Sequence, residues 1–151
     1  MPKTVLIARP HPFIVDAMKP FLEELGFATQ KLDRVSDLGA KAANTSGAVI
    51  SLALSSSIPE SAEEVFSSLR RASTRVPVLF ASMLEPEQAN AALAKIAKMS
   101  GHVLNALNTK SPSSNWAKLG SQETFVYLSK DDLTSPERRA VAAKLVQRHF
   151  G

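Results

Sequence analysis

The chain has 151 residues and a mass of 16.2 kDa, which is the size of one ordinary domain, so we expect residues 1–151 to fold as a single unit. Hydrophobic residues make up 44% and charged residues 21%, a globular balance, and the absence of cysteine excludes disulfides, thiolate zinc sites, iron–sulfur clusters and cysteine nucleophiles. The net charge of +4 is spread thinly over the chain, which is more typical of a solvated surface than of a nucleic-acid footprint.

Predicted strands and helices alternate along the chain. Short apolar runs rich in β-branched residues predict five strands, at residues 4–8, 27–32, 47–54, 76–82 and 124–128. Apolar side chains at helical spacing predict helices at residues 13–25, 85–99 and 134–149, and residues 33–44 are predicted as a short helix with a weak apolar face. The capping box of Ser61 and Glu64 begins a further helix, which carries Val65, Phe66 and Leu69. Because such alternation implies right-handed βαβ units, the predicted fold class is α/β, a three-layer, doubly wound, five-stranded parallel sheet.

Two helix boundaries and one insertion give more specific predictions. Pro20 lies inside the first helix, where it removes a backbone hydrogen bond and predicts a kink. Thr134 and Glu137 have the spacing of a capping box at the start of the last helix. Residues 102–107 could form a strand or a helix, and the apolar spacing favours a helix. With the loop rich in Ser, Pro and Asn that comes after them, they form an extra helix and loop insertion at about residues 100–122, before the last strand.

Several strands and their flanks resemble a known family. The opening TVLIARPHPFIVDAMKPFLEELGF and the later strand VPVLFAS resemble the first and fourth strands of the receiver domains of bacterial response regulators, which have a flavodoxin-like fold. Ser82 falls where that family has a Ser or Thr, Lys130 falls on its conserved lysine, and Tyr127 falls on its aromatic switch position. The resemblance covers most of the chain except the insertion, and it implies a role in two-component signalling.

The acidic residues of the receiver phosphorylation site are missing. Aligned on the first strand, the acidic pair that holds magnesium falls on Arg9 and Pro10, neither of which is an oxygen ligand of the kind that magnesium needs. The phosphoacceptor aspartate belongs at the end of the third strand, but no aspartate occurs between Asp37 and Asp131. Phosphoryl transfer to aspartate needs the acceptor and the metal together. The resemblance therefore implies a degenerate receiver, or pseudo-receiver, that is not an enzyme and uses no metal or other cofactor.

The carboxyl ends of the strands and the face beside them supply two candidate sites. A residual anion or switch site at the strand ends would consist of Arg9, His11, Ser82 and Lys130. A partner-binding face would include Tyr127, Trp116, Arg138 and Arg139. Each residue also has an ordinary structural explanation; Lys130, for example, would serve equally as a solvated lysine or as the partner of a neighbouring aspartate.

The leading hypothesis is a non-enzymatic signalling module that binds another signalling or regulatory protein, or a second copy of itself, independently of phosphorylation. One alternative is a small α/β protein that binds a nucleotide or another anion at the strand ends. A DNA-associated transcriptional regulator is disfavoured, because the chain leaves no room for a recognition helix after the last predicted helix. No stretch is long and apolar enough to span a membrane and no secretory signal is evident, so we expect a cytoplasmic protein without a membrane partner.

Overall fold

Six strands form one parallel sheet in the part of the chain that the computed structural model describes, residues 3–9, 14–32, 35–38, 45–51, 62–72, 77–82, 105–107, 109 and 124–150. The strands are β1 (Thr4–Arg9), β2 (Ala28–Lys31), β3 (Gly47–Ser51), β4 (Val78–Ser82), β5 (Asn105–Leu107) and β6 (Thr124–Ser129). Their order across the sheet is β2-β1-β3-β4-β6-β5, and every neighbouring pair is parallel. All five predicted strands are present, and the parallel, doubly wound class is confirmed.

Helices precede, follow or connect these strands. They are α1 (Lys19–Glu24), α2 (Ala62–Ala72), α3 (Lys130–Thr134) and α4 (Pro136–Phe150), together with a π-helical turn at Ile14–Met18 and a 3₁₀ turn at Val35–Asp37. None of the described helices is long and apolar enough to cross a membrane. The predicted helix at residues 85–99 lies outside the described residues, as does the predicted loop at residues 109–122 except for Thr109.

Apolar side chains alternate between the two faces of the sheet, and helices cover both faces. On one face, Val5 of β1 belongs to the same buried cluster as Phe21 of α1 and Leu145 of α4. On the opposite face, the ring of Phe66 in α2 lies against that of Phe80 in β4, with ring centroids 5.7 Å apart. All five side chains are buried. Apolar surface is therefore removed from water on both faces, which confirms the predicted three layers.

The backbone changes geometry just before Pro20. A π-helical turn ends at Met18, and α1 begins at Lys19, so the proline lies in the first turn of an α-helix. At that position a helix does not need the N–H donor that proline lacks, and the fixed φ of proline suits the helix. The structure thus has a π turn followed by a new α-helical start at this point, and the kink at Pro20 stays a prediction.

The structure corrects two local predictions. Residues 105–107 form a strand, because the outer edge of β6 offers backbone partners and a run of three residues is too short for its apolar spacing to distinguish strand from helix. Thr134 does not cap the last helix; it ends α3, and its hydroxyl donates a hydrogen bond to the Lys130 carbonyl (3.3 Å). Because Pro136 occupies the first helical position of α4, the residue before the helix is Ser135, whose carbonyl accepts the Arg139 N–H at 2.8 Å.

The C-terminal turn of α4 closes the amino-terminal end of the sheet. The Phe150 ring packs edge to face with Phe27, with centroids 6.1 Å apart, and covers Gly47, the first residue of β3. His149 is 1% exposed, and its Nε2 lies 2.9 Å from the Val78 carbonyl oxygen at the start of β4. Since a carbonyl oxygen only accepts, Nε2 is the donor in this bond. Two strands are thereby tied to the last turn of the chain's final helix.

Candidate functional site

The carboxyl ends of the central strands form a polar edge built mainly from serines. β1 ends at Arg9, β3 at Ser51, β4 at Ser82 and β6 at Ser129, and Ser82 is in register with Ser129. The three serines are buried. In doubly wound folds this edge is the usual ligand crevice. Of the four residues that end these strands, three carry hydroxyl groups and none is acidic.

The side chains of Ser82 and Tyr127 form a direct hydrogen bond inside this edge. Their oxygen atoms are 2.5 Å apart, and either hydroxyl can be the donor. Tyr127 is completely buried, on the strand adjacent to that of Ser82. A buried tyrosine hydroxyl needs a polar partner, and Ser82 supplies one. The structure thus joins one residue of the predicted anion site to one residue of the predicted partner face, and in this conformation Tyr127 lies inside the domain.

The hydroxyl pair leads to a thermodynamic prediction. We expect Tyr127→Phe and Ser82→Ala each to lower the free energy of unfolding by about 1 kcal/mol, because each leaves a buried hydroxyl with one partner fewer. The double variant should lose less than the sum of the two, since the shared bond can be lost only once. Urea denaturation of the four proteins measures this coupling. Strictly additive losses would show that the two hydroxyls do not stabilise each other.

A buried carboxylate, Asp132, lies just beyond the end of β6. Its Oδ1 accepts from the Thr109 hydroxyl at 2.7 Å and from the guanidinium of Arg138, with Nε at 2.9 Å and Nη2 at 2.7 Å. Its Oδ2 accepts the Ser129 backbone N–H at 2.8 Å. The Asp132 side chain is 0% exposed and that of Arg138 is 28% exposed. An isolated buried carboxylate would be strongly destabilising, so these donors stabilise the buried Asp132 side chain.

The neighbouring Arg139 makes a different kind of contact. Its guanidinium forms an ion pair with Glu24 of α1, lies 4.8 Å from the centroid of the Phe21 ring, and donates to the Leu133 carbonyl at 3.0 Å. The side chains of Arg139 and Glu24 are 32% and 66% exposed, so water screens this ion pair. Arg139 therefore links α4 to α1 at the surface.

The other predicted site residues are only partly described by the structure. Lys130 is exposed and begins α3, directly after β6. Arg9 ends β1, whereas His11 and Trp116 lie outside the described residues. Within the described part of the chain, no group of three or more His, Asp or Glu side chains could hold a metal ion. Sequence reasoning did not identify Asp132 and Thr109; the only signal was an acidic residue three positions after a strand-ending serine.

The strand order and the polar carboxyl edge define a flavodoxin-like domain, with the order 2-1-3-4-5 extended by one edge strand. No protein-family model and no curated protein matches the sequence. The fold is nevertheless shared with solved receiver domains of two-component systems. The chemotaxis protein CheY4 of Vibrio cholerae is 14% identical, with a TM-score of 0.58 over 98% of each chain.

Two further structures agree. The receiver domain of a sensor histidine kinase from Pseudomonas aeruginosa, with a magnesium ion in its active-site cleft, is 13% identical, with a TM-score of 0.53 over 100% of both chains. A CheY-like receiver domain from Methylobacillus flagellatus is 18% identical, with a TM-score of 0.54 over 93% of this chain and 99% of that one. This chain therefore has the receiver fold, as the resemblance of its strands implied.

Proposed function

We propose that this protein is a pseudo-receiver, a signalling module that acts by binding another protein and does not use aspartyl phosphorylation. The observation that supports this most strongly is the composition of the carboxyl edge. Where a receiver would need acidic residues to hold magnesium and accept a phosphoryl group, the strands end in Arg9 and Ser51. No aspartate occurs between Asp37 and Asp131, so no change of register supplies an acceptor.

The electrostatics of this edge oppose the receiver reaction. Magnesium binds hard oxygen ligands, usually carboxylates, and it neutralises the charge of the transferring phosphoryl group. β1 ends at the cationic residue Arg9, so this position supplies no carboxylate ligand for a divalent cation. The serines that end β3, β4 and β6 carry no negative charge that would attract a metal ion.

The hydrogen bond between Ser82 and Tyr127 supports the proposal that this domain needs no phosphoryl signal. The bond occupies both hydroxyls in the buried interior, and Tyr127 packs at 0% exposure. A partner would then recognise the outer surface of a domain that already has its binding conformation. A solved structure from a streptococcal family of redox sensors that evolved from two-component response regulators has the same fold. It is 11% identical to this chain, with a TM-score of 0.57 over 98% of this chain and 53% of that one. It is an example of this fold in a protein that is described as a redox sensor.

A ligand screen tests this proposal against an anion-binding function. We expect no rise in melting temperature with beryllofluoride and magnesium, because the groups that bind them in a receiver are missing. Inorganic phosphate, nucleotides and cyclic dinucleotides should give equally flat results. An ordinary receiver domain that binds beryllofluoride is the positive control. A concentration-dependent rise with beryllofluoride and magnesium would contradict the pseudo-receiver, and a rise with phosphate or a nucleotide alone would favour the anion-binding alternative.

A further inference from the structure

The edge strand β5 is short and is attached to the sheet on one side only, in the described part of the chain. β5 has three residues, Asn105–Leu107, and among the described strands it pairs only with β6, from Asn105 opposite Thr124 to Leu107 opposite Val126. Leu107 is 4% exposed and gives this strand a buried apolar side chain. A strand this short at a sheet edge has little pairing energy of its own, so its position depends on contacts made by the residues next to it.

Thr109, two residues after β5, supplies that further anchor. Its hydroxyl donates to Oδ1 of Asp132, the atom that also accepts from Arg138 of α4. The other Asp132 oxygen is bonded to the backbone of Ser129 at the end of β6, and Arg138 Nη2 approaches the Ser129 hydroxyl at 3.3 Å. One buried carboxylate therefore joins the segment after β5, the end of β6 and the first turn of α4.

We propose that Asp132 is a latch that couples the docking of edge strand β5 to the position of the first turn of α4. The buried carboxylate is stable only while its donors are in place, because an unsatisfied carboxylate oxygen in the interior is strongly unfavourable. Loss of the Thr109 hydroxyl bond weakens the contacts that fix Arg138. Displacement of Arg138 in turn weakens the attachment of Thr109 and of β5.

This coupling is reciprocal, because it is a free energy shared by two contacts on the same carboxylate. A partner that binds near β5 would thus affect α4, and a partner on α4 would affect β5. The latch operates through the residues Thr109, Asp132 and Arg138, whichever partner the domain binds. A test of the latch therefore gives an answer that does not depend on whether the domain is phosphorylated.

Hydrogen–deuterium exchange of the full chain tests the latch. Thr109→Val removes one donor at nearly constant shape, and Arg138→Met removes the guanidinium. In Thr109→Val we expect exchange at residues 105–109 to become about tenfold faster, together with faster exchange in the first turn of α4. In Arg138→Met, exchange at 105–109 should also become faster, although Arg138 is on a different element. In Thr109→Val, exchange in β1 and β4 should change less than exchange at 105–109, whereas Arg138→Met, which lowers the global stability, should also raise exchange in these strands.

Thr134→Val is the matched control, since the Thr134 hydroxyl is bonded to the Lys130 carbonyl and not to Asp132. It should leave residues 105–109 protected. Three results would overturn the latch: unchanged exchange at 105–109 in Thr109→Val, faster exchange there without any change in α4, or equally faster exchange along the whole chain of that variant. If Arg138→Met does not fold, the milder Thr109→Val variant alone decides the outcome.

Discussion

Replacing Gly47 by alanine should lower the free energy of unfolding by about 3 kcal/mol, one of the largest effects that we expect from any single methyl group in this protein. An added Cβ would come within 2.8 Å of Phe150 Cγ and closer still to two other atoms of that ring. The ring has little freedom to move away, because it is 2% exposed and packs edge to face against Phe27. The alanine variant must therefore displace the last turn of α4 or shift the start of β3.

Thermal and urea denaturation measure this effect, and the melting temperature should fall by about 6–12 °C. The control is Gly26→Ala, where an added Cβ would meet nothing within 4 Å but the backbone has a φ of +92°. That variant should lose only about 1 kcal/mol, from backbone strain without a collision. The pair Gly47→Ala with Phe150→Leu should recover part of the loss. A fully stable Gly47→Ala variant, or no recovery in the pair, would contradict the packing described for Phe150.

Two adjacent arginines of α4 should respond very differently to the same substitution. Arg138→Met should lower the free energy of unfolding by about 3 kcal/mol, because it leaves the 0% exposed Asp132 carboxylate without its charged partner. Arg139→Met should lower it by about 1 kcal/mol, since its partner Glu24 is 66% exposed and can be solvated. Methionine keeps much of the apolar part of the arginine side chain in both variants. The difference between their stability losses therefore measures the effect of leaving a buried charge without its partner.

Chemical denaturation of the two variants measures this contrast. The additional replacement of Asp132 by Asn in the Arg138→Met background should restore part of the stability, because it removes the uncompensated charge. If the two arginine variants lose equal amounts of stability, or if Asp132→Asn restores none, the buried ion pair does not stabilise the protein more than the exposed one.

The strands were predictable from sequence because both faces of this sheet are covered. β3 and β4 are buried along their whole length, so each appears in the sequence as a continuous apolar run bounded by polar residues. The receiver fold could be inferred from the order of several such runs and from the residues that end them. The structure shows this fold, and the serine ends of the strands lie together at its carboxyl edge.

The remaining features depend on tertiary contacts that no local pattern contains. β5 is a strand only because the outer edge of β6 is beside it, and three residues have no periodicity from which to predict it. No local pattern marks Asp132 as buried; its burial depends on Arg138, six residues later, and on Thr109, twenty-three residues earlier. The close approach of Phe150 to Gly47 likewise joins positions that are far apart in the chain.

Incubation with acetyl phosphate and magnesium, with intact-mass spectrometry as the readout, tests the central claim most directly. We expect the mass of the protein to stay unchanged while an ordinary receiver domain, treated in parallel, gains one phosphoryl group. The reason is that the strand ends of this chain, at Arg9 and Ser51, provide neither the acidic metal site nor the aspartyl acceptor. A phosphorylated form of this protein that is removed by hydroxylamine would contradict the pseudo-receiver assignment.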